Sequence, residues 1–391
     1  MKFFHVVLLL FCILSITNAT LSPNSGQKKK EKEKPVKEKK APETPAVNET
    51  FVKDDATKQE LLNSKPGLKN DERLFTEGIS LAYVTPWNNH GYDVAKFASK
   101  KFTHVSPVWF QINQGNEGDA ACTIEGQHDM DHGWIEEIRT NNPEIQIVPR
   151  FLFDKWDSEL ESFITNEEHA FRCGQSIVEF LQRNEFNGAV IEIWLQLMVR
   201  TRGQAKPYLL EIVQSWHKLF QKTGLTFILP LTCPLGAKLD EIGIIDQQTL
   251  TELMENVDYL SLMTYDYPSE TPGGVGPLHW IEQNLNYVLQ ATQGEHASKV
   301  LIGINFYGYI YKPTANPALS HEFVKLLKNP QMSLEWDTNA KEHVIREGSN
   351  IRAYLPTKRS IEERLKLAKH HGMGIFIWEI GQGLDDFITV L

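Results

Sequence analysis

Apolar, β-rich runs alternate with amphipathic stretches along most of this chain. The runs are "ISLAYVTPW" from 79, "FTHVSPVWFQI" from 102, "IQIVPRFLF" from 145 and "GAVIEIW" from 188. "LTFILPLTCP" from 225, "VDYLSLMTYDY" from 257, "KVLIGINFYGY" from 299 and "MGIFIWEI" from 373 complete the set. Between them lie helix-like segments such as "EEHAFRCGQSIVEFLQRN" from 167, "YLLEIVQSWHKLFQKTG" from 208 and "SIEERLKLAKHHG" from 360, the last closed by Gly372 as a helix stop. Continuous apolar strands alternating with helices imply a parallel sheet covered on its outer face. Eight repeats over residues 73–391 predict an α/β fold of the (β/α)8 TIM-barrel type. A doubly wound sheet would carry a glycine-rich turn after its first strand. Here that strand runs into "TPWNNHGYD" instead.

Active sites of such barrels form where the strands end. The strand ends here offer Tyr83 and Trp87, Trp109 and Gln111, then Arg150, Asp154 and Trp156. They continue with Glu192 and Trp194, Met263, Tyr265, Asp266 and Tyr267, Asn305, Phe306 and Tyr307, and finally Trp378 and Glu379. Taken singly, each is a rim or core residue. Gathered at one mouth, aromatic faces with hydrogen-bonding groups suit sugars, which present apolar faces and hydroxyl edges. Glu192 stands out because an apolar strand does not carry an unpaired carboxylate without cost.

The first 72 residues depart from the alternation. Lys2 precedes an apolar run over 6–16, and Thr17 and Ala19 are small residues at cleavage-site spacing. Residues 1–19 therefore read as a secretory leader, the run being short for a membrane span. Residues 20–72 read as a disordered Lys/Glu/Pro-rich linker with the core "KKKEKEKPVKEKKAPETPAV", too poor in apolar groups to offset the cost of ordering. Its lysines suit a basic arm for anionic glycans, membranes or nucleic acid, but the interspersed glutamates favour a solvated spacer. Asn48-Glu49-Thr50 is a glycosylation sequon within it. The formal net charge of −10 includes this arm, so the remainder is acidic, which argues against nucleic acid as partner. With the leader removed, no stretch predicts a transmembrane segment.

Cys122, Cys173 and Cys233 remain after the leader, an odd set that leaves at least one thiol unpaired within the chain and fixes no pairing. "GQHDMDHGW" brings His128, Asp129, Asp131 and His132 together. Capping of the following helix by Asp131 explains that cluster more simply than a metal does. His370 and His371 sit near a helix end, where the helix dipole favours them. No phosphate loop, nucleophile triad, metal site or cofactor motif is expected.

The strand-end pattern resembles family-18 glycoside hydrolases, the chitinases and their lectin-like relatives. "MTYD" at 263–266 matches the sixth-strand M-x-Y-D, "GINFYGY" from 303 resembles the seventh-strand G-x-P-x-Y-G, and "IFIWEIGQG" from 375 matches the terminal Trp strand. The likeness covers residues 77–391. It implies oligosaccharides of chitin type as ligands, lipopolysaccharide as a further one, and a stabilin-type scavenger or sorting receptor as protein partner. It also implies a secreted or lysosomal protein with a role in pathogen sensing. The family's fourth strand reads D-G-x-D-x-D-x-E, and its acidic positions fall here on Asn187, Val190, Glu192 and Trp194. In the family the final Glu protonates the leaving oxygen, and the Asp before it orients the substrate acetamide, whose oxygen is the nucleophile. Trp194 stands in the acid's place, and an indole supplies no acidic proton at neutral pH. Loss of a general acid costs about 10²–10⁴-fold in rate. Strand alternation is expected to place Val190, Glu192 and Trp194 on one face. Glu192 lies about 6.6–6.8 Å short of the acid position along a strand, so a structural role is expected, with Arg150 as partner and Tyr265 as a second.

Further departures from the family are the bulky third strand "VPRFLFD", in place of S-x-G-G, and Asn305 in place of Pro. The segment "SLEWDTNAKEHVIREGSNIRAYLPTK" between strands seven and eight reads as a short hairpin, which predicts an open, shallow cleft. Three functions follow. The first is a saccharide-binding barrel with no catalytic residue, whose site comprises Trp378, Tyr265, Asp266, Trp194, Glu192, Tyr83, Trp109 and Met263. Trp194 would either extend or plug the platform made by Trp378. The second is an atypical glycosidase using Asp154, Glu192, Asp266 or Glu379, and the third a protein-interaction module with a vestigial groove.

Overall fold

The computed structural model describes residues 57–64, 72–115, 122–154, 156 and 160–391. The leader, the Asn48 sequon and most of the charge-rich spacer lie outside them. Eight parallel strands pair in a closed ring. Strand one (Ser80–Val84) pairs with strand two (His104–Pro107, resumed as Phe110–Gln114). Strand two pairs with both parts of strand three (Gln146–Ile147 and Arg150–Phe153), and strand three with strand four (Gly188–Glu192). Strands five (Thr226–Thr232), six (Tyr259–Met263), seven (Val300–Asn305) and eight (Gly374–Trp378) follow in order, and strand eight pairs back onto strand one. That closing pair distinguishes a barrel from a doubly wound sheet, as the eight-fold alternation predicts.

The strands are apolar throughout because both faces are covered. Leu81, Val148, Val190, Ile228, Leu301 and Phe376 form the inner cluster. Their neighbours Ala82, Ala189, Ile191, Phe227, Leu229, Ile302 and Ile377 belong to the outer core beneath the helices. Local signals start and stop those helices. Asp131 accepts from the Trp134 amide at 2.9 Å and caps helix His132–Asn141, as its spacing predicts. Gly372, in the left-handed region at φ 64°, ends helix Lys358–His371. Cys122 and Cys173 form a disulfide between the strand Cys122–Glu125 and helix Glu167–Arg183, and Cys233 is free and buried. Among the described residues no helix is long and apolar enough to cross a membrane.

Two expectations need correction. The connection between strands seven and eight is not a short hairpin. It is a five-stranded antiparallel sheet built from Ala315–Ala318, Gly308–Tyr311, Asn350–Leu355, Glu342–Glu347 and Met332–Asp337, in that spatial order, with helix Ser320–Leu327 against it. "GYIY", which reads as the tail of strand seven, turns back as a separate strand. It finds its partner Tyr354–Ala353 some forty residues on, a pairing that local periodicity does not reveal. The sheet is buried on both faces: Tyr309, Val344 and Tyr354 join the barrel's inner cluster, and Ile310, Ile345, Ala353 and Phe323 form a core of their own.

The spacer also contains ordered structure near its end. Thr57 caps a six-residue helix, Lys58–Asn63, that docks on the insertion through buried Leu61. Lys58 Nζ donates to the carbonyls of Asn329 (3.0 Å) and Met332 (2.8 Å). A single buried leucine in a polar context is too weak a signal to lift this helix out of the surrounding composition.

Candidate functional site

The C-terminal ends of strands three and four meet at an ion pair. Arg150 Nε donates to Glu192 Oε2 at 2.7 Å, and a second guanidinium nitrogen reaches the same oxygen at 2.5 Å. Gln196 Nε2 donates to Glu192 Oε1 at 2.7 Å. Glu192 therefore has both oxygens engaged, which answers how an apolar strand tolerates it. The expected partner Arg150 is present. Gln196, the partner the sequence did not suggest, lies one helical turn beyond Glu192, where the run reads as strand.

Trp194 does not share a face with Glu192. The strand ends at Glu192, Ile193 takes a helical backbone (φ −117°, ψ −35°), and Trp194 opens the helix Trp194–Arg200. Its ring is fully buried in the outer core, with Nε1 donating to the Ile244 carbonyl at 3.4 Å. Period-two alternation fails here because the chain changes conformation at Ile193. Trp109 is likewise not at the mouth. It lies in the outer core, where Nε1 donates to the Tyr92 hydroxyl at 2.7 Å and its ring meets Trp134 edge-on.

Strand six ends in half-buried Met263 and leads to Tyr265 and Asp266. Asp266 adopts a left-handed backbone at φ 58°. Tyr307, just past strand seven, and Tyr309 of the insertion both donate to Asp266 Oδ1, Tyr309 at 2.5 Å. Oδ2 faces no donor among the described residues. Asp266 keeps substantial solvent contact by surface area, yet surrounding protein desolvates it and raises its pKa, against the lowering effect of the two phenols. Burial holds Tyr265, Tyr307 and Tyr309 far above the usual phenol range, so all three are neutral donors. The insertion thus reaches the end of strand six through Tyr309. Glu342 of the insertion fastens it by accepting from the Val275 and Gly276 amides at 2.8 Å each and pairing with Arg364 at 3.0 Å.

At the end of strand eight, Trp378 is half-buried and tilts against Tyr83 at 5.2 Å between ring centres. Tyr83 in turn meets Phe376 edge-on at 5.6 Å. Asn305 Nδ2 donates to the Tyr307 carbonyl at 2.7 Å. Glu379 follows Trp378 through a cis peptide bond and is fully buried. Asn88 Nδ2 donates to its Oε1 and the Gly381 amide to its Oε2, the latter at 3.1 Å. Burial pushes the Glu379 carboxyl up to about 7. Of the eight sequence candidates, then, Tyr83, Glu192, Met263, Tyr265, Asp266 and Trp378 stand at the upper barrel interior, while Trp109 and Trp194 pack outside the strands. These strand ends thus carry a half-buried aromatic face at Trp378, a solvent-exposed carboxylate at Asp266 and the Arg150–Glu192 ion pair. Among the described residues no group of three His, Cys, Asp or Glu is gathered that could hold a metal ion.

Comparison with known proteins places this barrel. A chitinase from Chromobacterium violaceum is 20% identical and superposes with a TM-score of 0.66 over 80% of this chain and 97% of its own. The spore cortex-lytic enzyme SleL of Bacillus megaterium is 16% identical, with a TM-score of 0.64 over 83% of this chain and 75% of its own. A family-18 chitinase from Cycas revoluta, solved in complex with (GlcNAc)3, is 14% identical, with a TM-score of 0.62 over 80% and 98%. At these identities the likeness is one of fold. Residues 79–383 match the family described as Glycosyl hydrolases family 18, a span that takes in all eight strands and the insertion, and the chain belongs to that family.

Proposed function

We propose that this protein is a chitinase-like lectin, which holds oligosaccharides of chitin type at the barrel mouth without hydrolysing them. The observation that carries the reading is the fate of strand four. Its only carboxylate, Glu192, is tied on both oxygens by Arg150 and Gln196, and the position aligned with the family's acid is a tryptophan buried outside the barrel. A carboxylate engaged on both oxygens has neither turned toward a glycosidic oxygen, the geometry a general acid needs. Binding chemistry remains: Trp378 supplies a stacking face, and Asp266 Oδ2 accepts from hydroxyls. That the Cycas revoluta relative was solved with (GlcNAc)3 supports the choice of ligand class. The leader-like start supports secretion or lysosomal delivery as part of the same reading.

Titration of the purified protein with (GlcNAc)3, followed by intrinsic tryptophan fluorescence, tests it. The expected result is saturable quenching or enhancement that Trp378→Ala removes. No response to this or to a panel of other glycans would turn the reading toward a protein-interaction module.

A further inference from the structure

The loop after strand six, residues 264–277, carries Asp266 and is gripped by the insertion at both of its ends. At the near end Tyr309, on the strand Gly308–Tyr311, donates to Asp266 Oδ1 at 2.5 Å, and Tyr307 donates to the same oxygen. At the far end Glu342 accepts from the Val275 amide on Oε2 and from the Gly276 amide on Oε1, at 2.8 Å each. The loop closes on itself between these points. The Tyr267 amide donates to the Val275 carbonyl at 2.8 Å, and a Cβ at Gly276 would lie 2.5 Å from the Thr264 carbonyl oxygen. Arg364, on helix Lys358–His371, pairs with Glu342 at 3.0 Å and donates to the Gly276 carbonyl at 2.6 Å. The grip is therefore braced against a barrel helix. Both side chains of that pair are only 4% exposed.

This grip has a chemical consequence at Asp266. Its backbone lies in the left-handed region at φ 58°, which a non-glycine residue keeps where its surroundings hold it. Each oxygen of a carboxylate has about two acceptor sites. The two phenols fill those of Oδ1, while Oδ2 meets no donor among the described residues and the residue is exposed. A carboxylate with both oxygens free rotates and accepts neighbouring hydroxyls, one on each oxygen. Asp266 is denied that freedom. It offers one oxygen in one orientation.

We propose that Tyr309 and Glu342 are positioning residues for the saccharide site, through which the insertion fixes the Asp266 carboxylate so that Oδ2 alone receives a sugar hydroxyl. The inference rests on the proposed binding function and adds what the insertion does for it. Neither residue needs to touch the sugar. Tyr309 acts through Oδ1, and Glu342 acts through the far end of the loop that carries Asp266. The two side chains reach that loop from strands Gly308–Tyr311 and Glu342–Glu347 of the insertion sheet, so the sheet works as one rigid template.

The test is a (GlcNAc)3 titration of the full chain as wild type, Tyr309→Phe, Glu342→Gln, Asp266→Asn and the double variant Tyr309→Phe with Asp266→Asn. The side-chain carboxyl carbon of Asp266 is followed by NMR against pH in the unliganded proteins. Tyr309→Phe is expected to weaken (GlcNAc)3 binding roughly three- to tenfold, the scale of one lost hydrogen bond. On the Asp266→Asn background the same change is expected to cost little more, because the two residues act as one unit. A residue with a merely structural role would cost the same on both backgrounds. Burial raises the Asp266 pKa and the two phenols oppose that rise, so Tyr309→Phe is expected to move the Asp266 titration to higher pH. Glu342→Gln, which keeps one acceptor for the two loop amides, is expected to weaken binding in the same sense, and again only while Asp266 is present. Should Tyr309→Phe not fold, Tyr307→Phe removes the other donor to Oδ1 and carries the same expectations. Equal losses with and without the Asp266 carboxylate, or an Asp266 titration that the Tyr variant leaves in place, overturn the proposal. Absence of sugar binding by wild type, with the Asp266 titration still moved by Tyr309→Phe, would instead sink the saccharide reading and leave the positioning of Asp266 standing.

Discussion

Arg150 donates to Glu192 across the joint between strands three and four, at 2.7 Å, with 12% and 14% of the two side chains exposed. The pair balances the charge of the one carboxylate that strand four carries. The adjacent strand positions explain the meeting. Arg150 lies beside Val190 in register and Glu192 beside Leu152, so the two charges stand on neighbouring strands, one inward step apart.

Removing Glu192 is expected to cost stability. Glu192→Leu strands Arg150, while Glu192→Gln keeps a neutral hydrogen-bond partner for it. Breaking a buried pair costs about 3–5 kcal/mol, and the residual exposure of both side chains puts this one nearer about 2–4 kcal/mol. Thermal melts of the two variants check it: the Leu variant is expected to melt well below the Gln variant. Equal melting near wild type would show a solvated, unengaged Glu192.

In the proposed function Trp378 and Asp266 carry the binding face. Trp378→Ala is expected to weaken oligosaccharide affinity by about 1–3 kcal/mol, the scale of burying one aromatic side chain. Asp266→Asn removes a charge but keeps an acceptor, and is expected to cost about 0.5–1.5 kcal/mol. Titration calorimetry on variants shown to be folded reads both. Unchanged affinity in folded Trp378→Ala would move the site away from the mouth.

Stability should also respond to Glu379. Its carboxyl titrates near 7 when folded, against 4.5 for an ordinary glutamate. The folded state therefore binds this proton more tightly. The contribution is full below about pH 4.5, declines through the interval and is gone above about 7, with a size on the order of 3 kcal/mol. Asp246, held down to about 2 chiefly by Lys206 and Thr249, works in the opposite sense at much lower pH. Melting curves of wild type and Glu379→Gln at about pH 5 and about pH 8 separate the two. The variant is expected to lose less stability than wild type between those values. An identical loss would mean that Glu379 does not titrate there.

The Cys122–Cys173 bridge spans 51 residues, a long loop for the unfolded chain. In the chain-entropy picture it stabilises the fold by about 4 kcal/mol. Reduction, or Cys122→Ser with Cys173→Ser, is expected to lower the melting temperature clearly, with the barrel retained by circular dichroism. No change on reduction would place the stabilisation elsewhere.

Particular residues show what the chain's pattern conveys and what it hides. The barrel is legible because each strand repeats one local rule, apolar on both faces with a helix after it. The Arg150–Glu192 pair is legible because a carboxylate inside an apolar run demands a partner and the neighbouring strand supplies one. Trp194 and Trp109 were misplaced because periodicity assumes an unbroken strand. The chain turns helical at Ile193, and strand two breaks after Pro107. Tyr309 and the insertion were hidden because their partners are distant in sequence, and antiparallel pairing over such distances leaves no local trace. The bond from Asn88 to Glu379 is hidden for the same reason, its two ends being 291 positions apart.

The claim that this barrel holds chitin-type sugars without cutting them is tested most directly by mass analysis of the oligosaccharide itself. (GlcNAc)4 is incubated at saturating protein concentration, bound and free sugar are separated, and the chain length of each fraction is read. The account predicts that tetramer is retained by the protein and recovered intact after prolonged incubation. Recovery of shorter oligomers from purified wild-type protein, with cleavage lost in Glu192→Gln, would contradict it.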